Sequence, residues 1–127
     1  MVLKSIWLGA LFGAVSAVAA AAQIAPTADD ATAAAKNQLG VLEYCQAEGH
    51  IDGAALEVQA KLMALLPAAS DQAKVDAAYE KGQAGTVSAM GVEQSLTDAA
   101  AAQSSDVKAL CTQMAEMVNQ MGANLPK

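Results

Sequence analysis

Arginine is absent from these 127 residues and histidine occurs once. All seven basic residues are lysines, set against thirteen carboxylates, and the net charge is −6. An acidic surface without guanidinium groups argues against nucleic acid as a partner, because phosphates are met by clustered Arg and Lys. It argues equally against electrostatic docking on anionic lipid. Aromatic side chains are scarce: Trp7, Phe12, Tyr44 and Tyr79 make up 3% of the chain. A core without aromatics leans on alanine, which favours helix but buries little area, and burial stabilises by about 25 cal/mol per Å². There are two cysteines, Cys45 and Cys111, and no C-x-x-C spacing. That excludes the common dithiol redox centre and covalent c-type haem. A lone histidine and no G-x-S-x-G elbow leave no basis for a nucleophilic triad. Paired carboxylates for glycoside chemistry need a cleft, which a chain this short is poorly equipped to build. Glu48, His50 and Asp52 alternate across one loop, but one imidazole between two acids falls short of a structural metal site. The expectation is a protein without metal or cofactor, and not an enzyme.

What is present begins at the N-terminus. Lys4 precedes an uncharged, mostly apolar run from Ile6 to Val18, and Ala19 to Ala22 supply small residues. That is the layout of a secretory signal peptide, with cleavage expected after Ala22. Residues 1–22 are then signal peptide, 23–28 a flexible leader around Pro26, and 29–127 one helical domain. The run is at the lower edge of spanning length, so a cleaved signal is favoured over a retained anchor, and no stable membrane insertion is expected after cleavage. Export places the protein in a periplasmic or extracellular, oxidising setting, where Cys45 and Cys111 are expected to join as a disulfide.

Along the body, the pattern predicts a helix from Asp29 or Asp30, as cap, to Glu48. Leu39, Leu42 and Cys45 share one face of it, and Gly49 is its stop. Gly40 inside that helix suggests a bend or a close helix contact. A second helix is predicted from Asp52 or Gly53 to about Leu66. A third is capped by Ser70 and stopped by Gly82. Residues 83–92 are left open between a loop and a short extended piece, with Thr86-Val87-Ser88 among glycines. Residues 93–102 read as helix anchored by Leu96. The last helix is capped by Ser104 or Ser105 and stopped by Gly122. It carries the strongest stripe: Val107, Leu110, Cys111, Met114, Met117, Val118 and Met121. The expected architecture is all-α, a small bundle of four or five short helices stapled by one disulfide.

The methionines admit two readings. Met114, Met117 and Met121 either fill an aromatic-poor core, which helical spacing favours, or form an interaction face that exploits the adaptability of the thioether side chain.

Leu39-Gly40-Val41-Leu42-Glu43-Tyr44-Cys45, Gly53-Ala54-Ala55, the run Tyr79 to Gly85 and Leu110-Cys111 with its amphipathic tail resemble the YjjA-type proteins. The resemblance covers residues 37–121. It implies a small exported bacterial protein with a signal peptide and two cysteines, and it supplies no catalytic residue. A looser likeness, of size, signal and disulfide only, is to small periplasmic acid-stress chaperones of the HdeA sort. The functional expectation is a structural or interaction role with a protein partner. The alternative is an acid- or envelope-stress chaperone.

Overall fold

The computed structural model describes residues 27–89 and 91–127. The predicted signal peptide at 1–22 and leader residues 23–26 lie outside the described residues, as does Met90. The described elements are α1 (Ala28–Ala47), α2 (Ala54–Ala64), α3 (Gln72–Gln83), β1 (Thr86–Ala89), β2 (Val92–Ser95), α4 (Leu96–Ala102) and α5 (Val107–Ala123). The fold is all-α in class, with one small two-stranded sheet. No helix among the described residues is long and apolar enough to cross a membrane.

Each helix starts on a side-chain cap or a close substitute, though often one residue from where the sequence suggested. Thr27 caps α1: it accepts from the Asp30 amide at 3.2 Å, while Asp30 accepts from the Thr27 amide at 2.9 Å. This reciprocal box satisfies two of the orphaned first-turn donors. The end of the expected flexible leader is therefore cap and first turn. Asp71, not Ser70, caps α3 by accepting from the Lys74 amide at 3.1 Å. Asp106, not Ser104 or Ser105, caps α5 by accepting from Ala109 at 2.7 Å. Ser104 instead takes a positive φ of 52° in the preceding turn. Gly53 precedes α2 without a side-chain bond, and Asp52 accepts from the Ala54 amide at 3.0 Å beside it.

Three glycines set how closely the helices approach. α1 and α3 cross at Gly40 and Gly82. A Cβ on Gly40 would lie 2.5 Å from the Tyr79 carbonyl oxygen, and one on Gly82 would lie 2.2 Å from that of Asn37. Gly82 therefore does not stop α3. The stop is Gly85, whose φ of +86° suits a residue without a Cβ. Gly122 likewise lies within α5, where a Cβ would meet Val58 at 2.6 Å. Gly49 does follow the end of α1, at φ +75°.

The core forms three clusters, and α1 contributes to all of them. Val41 and Cys45 pack with Leu96, Ala100, Leu110 and Cys111. Leu42 packs with Ala55, Ala115 and Val118. Ala33 packs with Val75 and Ala78. Cys45 and Cys111 are bonded, with Cα atoms 5.6 Å apart and a sequence separation of 66. The disulfide joins the last turns of α1 to the first turns of α5 and closes just over half of the chain into one loop.

The segment left open by sequence is a hairpin. β1 pairs antiparallel with β2 from Thr86↔Ser95 to Ala89↔Val92. Its pairing continues as the Leu96 amide donates to the Gly85 carbonyl at 2.9 Å. α4 is accordingly shorter than expected, starting at Leu96 with Ser95 as its cap.

Candidate functional site

The outer edge of β1 is closed by one buried side chain, and that side chain fixes the wall of the main groove. Asn37 on α1 is 1% exposed. Its Nδ2 donates to the Ala78 carbonyl at 2.8 Å and to the Thr86 carbonyl at 3.0 Å. Its Oδ1 accepts from the Ser88 amide at 2.8 Å. The carboxamide thus replaces the neighbouring strand that β1 lacks on this side and ties α1, α3 and β1 together. Sequence reading passed over Asn37. Its one signal was position, a polar residue a turn before Gly40-Val41 on the face that becomes buried.

Between α1, β1 and α5 lies a groove of about 540 Å³, with Ala31, Ala34 and Ala35 on one side and Met114 and Met117 on the other. A second hollow of about 310 Å³ continues it towards α4, past Leu96, Ala99 and Leu110. The two share Val87, Met114 and Met117. No charged side chain lines either one. Gln38 borders the first hollow, and Gln103 and Gln113 border the second.

The predicted methionine stripe divides at this groove. Leu110, Cys111, Ala115 and Val118 turn inward on α5. Met114 is half-buried and packs against two core clusters. Met117 is 52% exposed and Met121 39% exposed. The small Ala115 lets α5 approach Ala55 of α2, so the burial axis runs through 111, 115 and 118, and the longer side chains at 117 and 121 fall outside it. Filling the core is thus the role of Met114 only in part, and of the other two hardly at all.

The remaining sequence candidates are spread out. Cys45 and Cys111 are fully buried, so the disulfide offers no reactive sulfur to a substrate. His50 and Asp52 border a shallow hollow of about 270 Å³ together with Glu116, while Glu48 is not part of it. Among the described residues, no three His, Cys, Asp or Glu side chains come together as a cation site.

Two polar networks hold α3 onto α1. At one end, Asp29 accepts from the Ser70 hydroxyl at 2.6 Å and from the Ser70 and Asp71 amides at 2.9 and 3.2 Å. These bonds, the hydroxyl's first, hold the Asp29 carboxyl below its ordinary range. Beside it, Lys74 pairs with Asp30. That bond, with those from Thr27, pulls Asp30 down to about 2. At the other end, the Tyr79 hydroxyl donates to Glu43 at 2.6 Å, and Gln83 donates to the same oxygen at 2.9 Å. The hydrogen bond to Glu43, then burial, pushes Tyr79 up to about 12. The Lys36 ammonium sits over the same ring, 4.5 Å from its centre. No protein-family model, curated protein or solved structure matches this chain.

Proposed function

We propose that this is a small exported protein of the bacterial envelope or exterior, non-enzymatic and of the YjjA type, that acts by binding another protein through the Met114, Met117 and Met121 face of α5. The observation that carries this reading is the half-exposed Met117 over an uncharged groove, on a molecule whose remaining surface is rich in carboxylates. Adaptable thioethers suit a surface that repacks around a partner, and exposed apolar patches on small domains mark interaction sites. The fully buried disulfide supports the compartment, since such bonds persist where the medium is oxidising. The N-terminal sequence supports the route there.

The test is a photo-reactive residue at position 117 in the exporting cell, with Thr112 on the exposed opposite side of α5 as control. A discrete cross-linked product at 117, absent at 112 and lost with Met121→Glu, is expected. No product at 117, or equal products at both positions, refutes the reading.

One observation favours the alternative, an acid- or envelope-stress chaperone. Asp29 and Asp30, whose carboxyls are held low by the fold, join the start of α1 to the start of α3. As the pH falls from the ordinary carboxylate value of 3.8 towards about 2, their protonation removes the charged partner from those contacts and can loosen the α1–α3 pair. Suppression of client aggregation at about pH 2–3, together with increased dye binding, is the expected signature. A protein that stays compact and inert at that pH excludes this alternative.

A further inference from the structure

We propose that Met117 and Met121 are a modification site: peroxide or hypochlorous acid converts their thioethers to sulfoxides, and the α5 face closes to its partner while the fold stays intact. This rests on the reading of that face as a docking surface and adds its regulation. The first observation is which sulfurs a dissolved oxidant reaches. Cys45 and Cys111 are bonded to each other and fully buried, so they offer it no thiol. Met63 and Met114 are partly buried. Met117 is 52% exposed and Met121 39% exposed. Susceptibility to oxidation follows exposure, so among the described residues these two thioethers react first.

The second observation is where they sit. Met121 follows Met117 by one turn of α5, so the two are neighbours on one helix face. Met117 also lines both hollows of the groove. When hydrogen peroxide reacts, its O–O bond breaks, one oxygen joins the sulfur, the sulfur gives up an electron pair and water leaves. With hypochlorous acid the leaving group is chloride, and a proton is released. The product is a polar sulfoxide where an apolar, adaptable side chain stood. A partner that covers this oxygen strips it of water, and an oxygen buried without a hydrogen bond is costly.

The third observation is what the core does not need. Leu110, Cys111, Ala115 and Val118 are the residues that α5 buries, and neither Met117 nor Met121 belongs to the core clusters. Met114 does pack against two of them, so oxygen on its sulfur would disturb the interior. The disulfide meanwhile holds α5 to α1. The thioethers most open to oxidant are thus those on which folding depends least. Their oxidation changes the surface and spares the body.

The experiment has two parts. The purified, disulfide-bonded protein is treated with limiting hydrogen peroxide and mapped by peptide mass spectrometry. Met117 and Met121 are expected to gain one oxygen at least about threefold faster than Met63 and Met114. The urea midpoint of that product is expected to stay at the value of the untreated protein. In the exporting cell, a photo-reactive residue in place of Gln113, exposed and one turn before Met117, reads docking without replacing either methionine. Its cross-linked product is expected to fall at least about tenfold after peroxide. In Met117→Leu with Met121→Leu, which keeps the face apolar without a thioether, the product is expected to survive. Four results overturn the inference: oxygen entering Met63 or Met114 first, a lower urea midpoint once Met117 and Met121 alone are oxidised, a parent product that survives peroxide with both sulfoxides present, or a leucine variant whose product is lost. If untreated cells give no product from 113 or 117, the docking reading fails and its regulation falls with it. A product that survives peroxide leaves the docking surface standing and removes only the regulation.

Discussion

Replacing Gly82 by alanine separates two opposite expectations by sign. In an exposed helix, Gly→Ala stabilises by about 1 kcal/mol because the backbone loses less freedom on folding. At the α1–α3 crossing the new Cβ would sit 2.2 Å from the Asn37 carbonyl oxygen and 2.8 Å from the Val41 nitrogen. Ordinary contact begins at 3.4 Å, so the shortfall is 1.2 Å against the nearer atom. Both obstructing atoms are backbone, in the middle of a long helix, and cannot swing aside. α3 must move as a body. That stretches the Asn37 bonds to Ala78 and Thr86 and disturbs the Tyr79–Glu43 contact. Overpacking costs about 1–3 kcal/mol and each weakened hydrogen bond about 1 more, so after subtracting the propensity gain the net loss is about 2–4 kcal/mol. On a total of about 5–15 kcal/mol that is a severe change. The assay is urea unfolding of the oxidised protein followed by circular dichroism. The midpoint is expected to fall by about 1–2 M, given the usual dependence on denaturant. Gly53→Ala is the control: its only close neighbour is the flexible end of Gln46 at 3.2 Å, and its midpoint stays near that of the parent. A Gly82→Ala protein as stable as the parent, or more so, refutes the close crossing.

Asn37→Ala removes three bonds and leaves the Ser88 amide without its partner. A loss of about 2–4 kcal/mol is expected, with faster amide exchange at Ser88 as the local readout in NMR. The Asp30 carboxyl has a folded pKa of about 2 against an ordinary 3.8. A depressed carboxyl stabilises the fold above its unfolded value, and that contribution is lost as pH falls through the folded one. The urea midpoint is therefore expected to drop between about pH 5 and 2, and Asp29→Asn with Asp30→Asn should flatten that drop. At the alkaline end Tyr79, raised to about 12 from 10.0, stabilises fully below pH 10 and progressively less above it. Tyr79→Phe removes this alkaline dependence, read from the same titration. Cys45→Ala with Cys111→Ala opens a loop of 66 residues in sequence separation. The chain-entropy argument puts the loss at about 4 kcal/mol, measured as the difference in urea midpoint from the oxidised parent.

The sequence marked α1, α2, α3 and α5 because each carries an apolar period and a polar start. It missed where several start, and the reason is competition. Asp29 and Ser70 both have the chemistry of caps, but they bond each other across the α1–α3 gap, and Thr27 and Asp71 cap instead. Glycine misled for a related reason. Gly82 and Gly122 look like stops when only the neighbours in sequence are visible, and become contact points once Asn37 and Val58 stand opposite. The hairpin could not be read because its strands have four residues each and no clean alternation of buried and exposed positions. Its stability comes from Asn37, about fifty positions upstream, which no local pattern reveals. At the groove, the spacing placed Met114, Met117 and Met121 on one stripe of α5. The division of that stripe into buried and exposed parts depends on Ala115 meeting Ala55 of α2, a tertiary fact.

The account hinges on export and the sulfur bond that follows from it. Intact-mass spectrometry of the protein recovered from its native cell, with thiols alkylated before any reductant is added, tests both at once. The account predicts a chain beginning at Gln23, two hydrogens lighter than its reduced form and free of alkylation. A folded protein that retains residues 1–22 and carries an alkyl group on both Cys45 and Cys111 contradicts it.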